Sequence, residues 1–245
     1  MLFGSEAYVL STLPAFFIPT NCSSIDRLLV GGIPSGQITL VYGAYSTGKT
    51  SFAVQCAVSC ARKKTRTLYV DSDDTFSATR LSQIASDDLD SVSPMIIVFK
   101  PSSFIEQGFL FENLDRYLSF STALVVVDTV TSLYRIGLRN TEETFALNRE
   151  LNRQLAVLTE VAKKNAVALL LTSQVHSVID EWPFGKIEPV ATRVLNFWSQ
   201  NVLRLSLSEK HPVREATLEK TSGNKSTERR CLYILTEEGV SELRR

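Results

Sequence analysis

A chain of 245 residues that is 44% apolar and 21% charged has the side chains for a packed α/β domain and lacks the charge excess of a disordered one. Its 26 lysines and arginines cancel 26 aspartates and glutamates, which excludes a basic field over the whole molecule, so any contact with nucleic acid has to come from local patches. Four cysteines (Cys22, Cys56, Cys60, Cys231) and two histidines (His176, His211) form no C-x-x-C pair and no ligand set, which argues against a structural zinc and for a reducing compartment.

The opening stretch, MLFGSEAYVLSTLPAFFIPT, is apolar but lacks a basic start and is interrupted by Glu6, Pro14 and Pro19. It fits neither a secretion signal nor a membrane span, and no later run reaches the roughly 18 unbroken apolar residues a span requires. Residues 1–20 are therefore expected to be an arm against the domain or between subunits, and residues 21–245 a single core domain of a soluble, cytoplasmic protein. Runs of β-branched and large apolar residues follow at ITLVYG (38–43), TLYVD (67–71), MIIVF (95–99), ALVVVD (123–128) and VALLLT (167–172), with helix-length segments between them. Continuous apolar runs are what strands buried on both faces need, so the alternation predicts a parallel sheet covered by helices. After residue 200, NVLRLSL (201–207), VREATLEK (213–220) and RCLYILT (230–236) succeed one another with hairpin-length gaps, which predicts antiparallel strands extending one edge. No internal repeat, low-complexity tract or linker marks a second domain.

The first of the buried strands runs into GAYSTGKTS: Gly43, Ala44, Tyr45, Ser46, Thr47, Gly48, Lys49, Thr50 and Ser51. This is G-x-x-x-x-G-K-[ST] in a strand-loop-helix setting, a phosphate-binding loop. Glycine lets the main chain curl closely enough for backbone N–H groups to converge on a phosphate chain, and the helix opening near Lys49 adds its positive end. Lys49 is expected to reach the β- and γ-phosphates, and the Thr50 hydroxyl a Mg²⁺ ion. Asp128 closes the most apolar strand, at the end where open α/β sheets bind ligands, and is the second expected holder of Mg²⁺. Asp71, Asp73 and Asp74 crowd into YVDSDDTF (69–76); turns and N-caps also favour aspartate, so capping is the other use for them. Cys56 and Cys60, one turn apart, read as buried thiols on the inner face of the loop's helix.

The runs NCSSIDRLLVGGIPSGQITLVYGAYSTGKT, LYVDSDDTFSATRL, VVVDTVTSLYR and LNRQLAVLTEVAKKNAVALLLTSQVHS resemble the RecA-type recombinases of archaea, more closely their short paralogues. The likeness covers about nine-tenths of the chain, from residue 20 onward. It implies a RecA-like P-loop NTPase core: a mainly parallel twisted sheet flanked by helices, with C-terminal antiparallel edge strands. It also implies ATP and Mg²⁺ as cofactors, with Asp73, Lys49 and Gln174 as the catalytic set. In these recombinases the segment after the second strand reads Tyr-Ile-Asp-Thr-Glu-x-Thr-Phe, and the Glu activates the attacking water; Asp73 stands in that slot. One methylene shorter, its carboxylate is retracted by ~1 Å, a displacement that costs on the order of 10²-fold in rate. Gln174 takes the place of a glutamine that senses the γ-phosphate.

Two segments occupy the places of the family's DNA-binding loops: YRIGLRNTEETF, with Arg135 and Arg139, and HSVIDEWPFGKIEP, with Trp182, Phe184 and Lys186. Aromatic faces beside cations suit single-stranded DNA, although Asp180 and Glu181 oppose it and the same aromatics would serve packing or a protein contact. Arg214 and Lys220 lie on a strand that approaches a neighbouring subunit's nucleotide in RecA-type assemblies, and are otherwise edge-strand charges. Neither the helical DNA-binding domain nor the Phe-x-x-Ala hook of full-length members is recognisable, which argues against long filaments and leaves short homo-oligomers or mixed assemblies. The resemblance implies a weak ATPase, DNA-dependent or not, that assists recombination and repair on single-stranded or branched DNA beside the main recombinase or a junction nuclease, at the nucleoid. The rival reading is a KaiC-like nucleotide-responsive assembly or signalling ATPase without a DNA role, since such proteins carry two adjacent acids where Asp73 and Asp74 stand.

Overall fold

The computed structural model describes residues 14–138, 141–177, 187–221 and 224–243. Its elements, in chain order, begin with β1 (Phe17–Ile18), α1 (Ser23–Leu28), β2 (Ile33–Pro34), β3 (Ile38–Gly43), α2 (Lys49–Arg62) and β4 (Arg66–Asp71). There follow α3 (Ala78–Ala85), α4 (Leu89–Val92), β5 (Ile96–Phe99), α5 (Phe104–Glu112), β6 (Thr122–Asp128), α6 (Ser132–Ile136) and α7 (Thr141–Asn165). The last part holds β7 (Ala168–Ser173), β8 (Val175–Ser177), β9 (Ile187–Pro189), α8 (Thr192–Trp198), β10 (Asn201–Leu207), β11 (Val213–Thr221), β12 (Asn224–Thr236) and β13 (Gly239–Glu242).

Among the described residues the main sheet has nine strands in the order β13-β12-β11-β10-β3-β7-β6-β4-β5. From β10 to β5 every pairing is parallel; from β10 outward to β13 every pairing is antiparallel. The division follows the side chains. β3, β6 and β7 are buried along their whole lengths, as strands with helices on both faces must be. β10 and β11 lose burial toward their ends, and the two-faced apolar pattern goes with it.

Two apolar cores lie on opposite faces of the sheet. On one, Phe52, Cys56 and Cys60 of α2 pack with Val41, Tyr69 and Val126; on the other, Leu151, Leu155, Leu158 and Ala162 of α7 pack with Leu40, Val70 and Val127. The α7 residues recur at helical spacing along one stripe and all four are fully buried. Each buried leucine stabilises the fold by about 1.5–3 kcal/mol relative to an exposed one.

Both ends of the described chain converge on α2. The segment before α1 pairs β1 with β2, and the Ser35 hydroxyl accepts the amides of Ala15 and Phe16 at 2.8 and 3.1 Å. Inside α2, the buried Gln55 side chain donates to the carbonyls of Thr20 (2.7 Å) and Val240 (2.9 Å) and accepts the Val240 amide at 2.6 Å. β12 starts six residues before the apolar run that signals it, because NKSTER has no apolar alternation and is a strand through its ladder with β11.

Candidate active site

Gly43 ends β3 with β7 and β10 on either side, and a Cβ there would run into the Leu205 carbonyl of β10. Gly48, in the left-handed region at φ +95°, turns the loop into α2, and no side chain caps that helix. The first bond of the helix runs from the Phe52 amide to the Gly48 carbonyl, which leaves the amides ahead of it open at the positive end of α2. From behind, the Thr47 hydroxyl donates to the Ala44 carbonyl (2.9 Å), the Tyr233 hydroxyl to the Thr47 carbonyl (2.7 Å), and Leu235 lies against Gly48. Arg80 Nε donates to the Ser51 hydroxyl at 3.1 Å, and Tyr45 projects into solvent. The loop thus forms the floor of a cleft of about 500 Å³ whose walls include Asp73, Thr129, Arg135 and Gln174.

Lys49 folds back over the loop and donates to the carbonyls of Gly43 and Ala44, both at 2.9 Å. Burial lowers its pKa, and the carboxylates of Asp128 and Asp73 oppose that shift. Asp128 is wholly buried at the tip of β6. Tyr69 donates to it at 2.8 Å and Thr172 donates to its other oxygen, while the nearby Thr50 hydroxyl also favours the charged carboxylate. Burial still outweighs those donors and raises its pKa. Beside it, the buried Thr129 hydroxyl has no partner among the described residues. An all-oxygen set of carboxylate and hydroxyl suits a hard cation such as Mg²⁺, and the Thr129 hydroxyl and open amides suit a phosphate chain with its water.

The three neighbouring aspartates part company. Asp71 caps the turn: its carboxylate accepts the amides of Thr75 (3.0 Å) and Phe76 (3.1 Å). Asp74 lies in the left-handed region at φ +52° with an exposed side chain 2.5 Å from Lys100, whose bond holds its pKa below the ordinary carboxylate value. It does not line the cleft, so it does not stand in for Asp73. Asp73 does line it, accepting from the Ser132 hydroxyl at 2.5 Å and from Gln174 Nε2 at 2.9 Å. Gln174 in turn accepts from the Arg135 guanidinium.

Arg135, expected on the nucleic-acid surface, is therefore engaged in the cleft wall. Arg139, Trp182, Phe184 and Lys186 lie outside the described residues, as does the arm before Pro14. Arg214 Nε contacts its own chain's Ser46 carbonyl at 3.3 Å, and Lys220, at the far end of β11, donates to the Asn196 carbonyl at 2.6 Å. Sequence reasoning missed Tyr69, Thr172, Ser132 and Arg80. The hydroxyl-rich DTVTS after β6 was a signal for Ser132; the others depend on partners far along the chain.

The model of the Rad51 family matches residues 14–243. The DNA repair and recombination protein RadB of Methanothermobacter thermautotrophicus is 37% identical over 207 residues, covering 82% of this chain and 86% of its own. The protein of the same name from Methanococcoides burtonii is 28% identical over 90% of this chain and 96% of its own. A crystal structure of the RadB recombinase superposes with a TM-score of 0.79 at 30% identity, covering 93% of this chain and all of that one. These matches give the fold as RecA-like and do not favour the KaiC-like reading. With sheet, loop and relatives in agreement, the chain belongs to the Rad51 family, among the RadB proteins of archaea.

Proposed function

We propose that this chain binds Mg-ATP in the cleft, hydrolyses it slowly, and serves recombination and repair as an accessory of the main recombinase or of a junction nuclease, on single-stranded or branched DNA. One observation carries the nucleotide half: the uncapped N-terminus of α2 presents Lys49 and Thr50 to a cleft walled by Asp73 and Thr129, where a phosphate chain and its cation neutralise each other. Names of the archaeal relatives support the recombination half.

The loop amides from Ala44 to Ser51 would hold the phosphates. Lys49 would exchange the Gly43 and Ala44 carbonyls for the β- and γ-oxygens, and Thr50 and Asp128 would hold the cation. Mg²⁺, when bound, would supply charge neutralisation to the phosphate chain. Asp73 orients the attacking water, and Gln174, bonded to it, reports the terminal phosphate. The short arm of Asp73 sets the slow rate. DNA is assigned to Arg135, Arg139, Trp182, Phe184 and Lys186; Arg135 must leave Gln174 to reach a phosphate. The reading places the protein in the cytoplasm at the nucleoid, as a short homo-oligomer or in a mixed assembly; no described helix is long and apolar enough to cross a membrane.

Steady-state turnover and ATP binding on the native chain, Lys49→Ala and Asp73→Glu test this. Lys49→Ala abolishes tight binding, and Asp73→Glu accelerates hydrolysis; a Glu variant no faster than the native chain removes Asp73 from its role. Titration of a fluorescent single-stranded oligonucleotide, with and without ATP across salt concentrations, tests the DNA half. Affinity falls as salt rises where phosphate contacts exist, and no binding at low salt leaves a nucleotide-driven assembly role instead.

A further inference from the structure

Ser132 has no place in the scheme above, yet it makes a short bond to the carboxylate on which the scheme depends, 2.5 Å from its hydroxyl to Asp73 Oδ1. Its seat is fixed. The backbone ahead of it is tied to the end of β7 by the Val130 amide on the Thr172 carbonyl (3.0 Å) and by the Thr131 and Ser173 hydroxyls, 3.1 Å apart. The second carboxylate oxygen accepts from Gln174 Nε2, which itself follows β7. Asp73 is thus held by both oxygens from the segments that follow β6 and β7, which are tied to each other. A carboxylate has about four acceptor positions; two are taken, and those remaining have a defined direction.

We infer that Ser132 is the positioning residue of the water-activating carboxylate: it fixes the aspartate that stands where the family has a longer glutamate, and so keeps the short side chain in its productive geometry. Arg135, one turn further along α6, acts on the same carboxylate at one remove by fixing the Gln174 amide. The inference rests on the assignment of Asp73 to the attacking water. Its logic is preorganisation: a carboxylate free to swing by ~1 Å spends little time in the productive geometry, and nucleotide binding, which uses other groups, is unaffected.

Ser132→Ala and Ser132→Thr test it in the full chain, each in the native and the Asp73→Glu backgrounds. Ser132→Ala lowers kcat by about tenfold with KM for ATP unchanged, Ser132→Thr restores most of the loss, and the effect shrinks when position 73 carries the longer glutamate. An unchanged kcat, or a loss that appears equally in KM, overturns the inference. A thermal-unfolding cycle on the nucleotide-free protein with Ser132→Ala, Asp73→Ala and the double variant reads the bond without turnover. The double variant melts no lower than the worse single one; additive shifts mean the bond is absent in solution and also overturn it. A native chain that binds ATP and never turns it over sinks the hydrolysis reading, while this cycle still decides whether Ser132 holds Asp73.

Discussion

Asp128 is a carboxyl shut away from water, surrounded by hydroxyl donors, with Lys49 turned toward main-chain carbonyls. Because burial raises its pKa, the folded state binds the Asp128 proton more tightly than the unfolded state does. The stability this group contributes is complete below the ordinary carboxylate pKa and is lost as pH rises through the raised value. Above that range its ionisation costs the nucleotide-free protein stability. Asp128→Asn, which removes the charge and keeps the shape, raises the melting temperature of the nucleotide-free chain by about 2–4 °C, equivalent to about 1 kcal/mol, and abolishes the further rise with Mg-ATP. Calorimetry with and without Mg-ATP checks both, and a nucleotide-free variant that melts lower would mean that the hydroxyls more than offset the burial. What the sequence displayed here was residue type, and what it hid was direction. YVDSDDTF presents three similar carboxylates, and only partners 4, 26 and 59 positions away separate a turn cap (Asp71), a surface ion pair (Asp74) and a cleft residue (Asp73).

The turn between β12 and β13 is tied to the phosphate loop through α3. Arg80 donates to the carbonyls of Thr236 and Glu237 at 2.9 and 2.8 Å while its Nε holds Ser51. Arg80→Ala frees that turn from the start of α2; the contacts are largely exposed, so the cost in global stability is about 1 kcal/mol. The local effect is larger: amide exchange at residues 236–239 quickens while that of β3 does not change, as hydrogen-exchange mass spectrometry will show. Strands with two buried faces were legible because apolar runs are their requirement, and the bounds of β3 and β10 follow directly from ITLVYG and NVLRLSL. Elements held by pairing alone were not. β1, β2, β8 and β9 have two or three residues each and no room for a period, and β13 owes its place to the ladder with β12 and to the Gln55 amide.

Gln55 joins the most distant parts of the chain, since one buried amide serves Thr20 and both backbone groups of Val240. Gln55→Leu leaves those backbone groups buried without partners and costs about 3 kcal/mol or more, read as a lower urea midpoint at unchanged slope. A full-strength urea midpoint for the variant would mean that water replaces the amide. The order of the strands has a consequence for how the protein is made. Among the described residues β3, which bears the phosphate loop, pairs with β7 and β10, whereas β4 pairs with β5 and β6. On the ribosome the three-stranded unit can assemble early, but the nucleotide cradle waits for more than 120 further residues before its own strand has a neighbour. Throughout that interval an apolar strand stands without a ladder on either side, the stage at which the nascent chain most needs a chaperone.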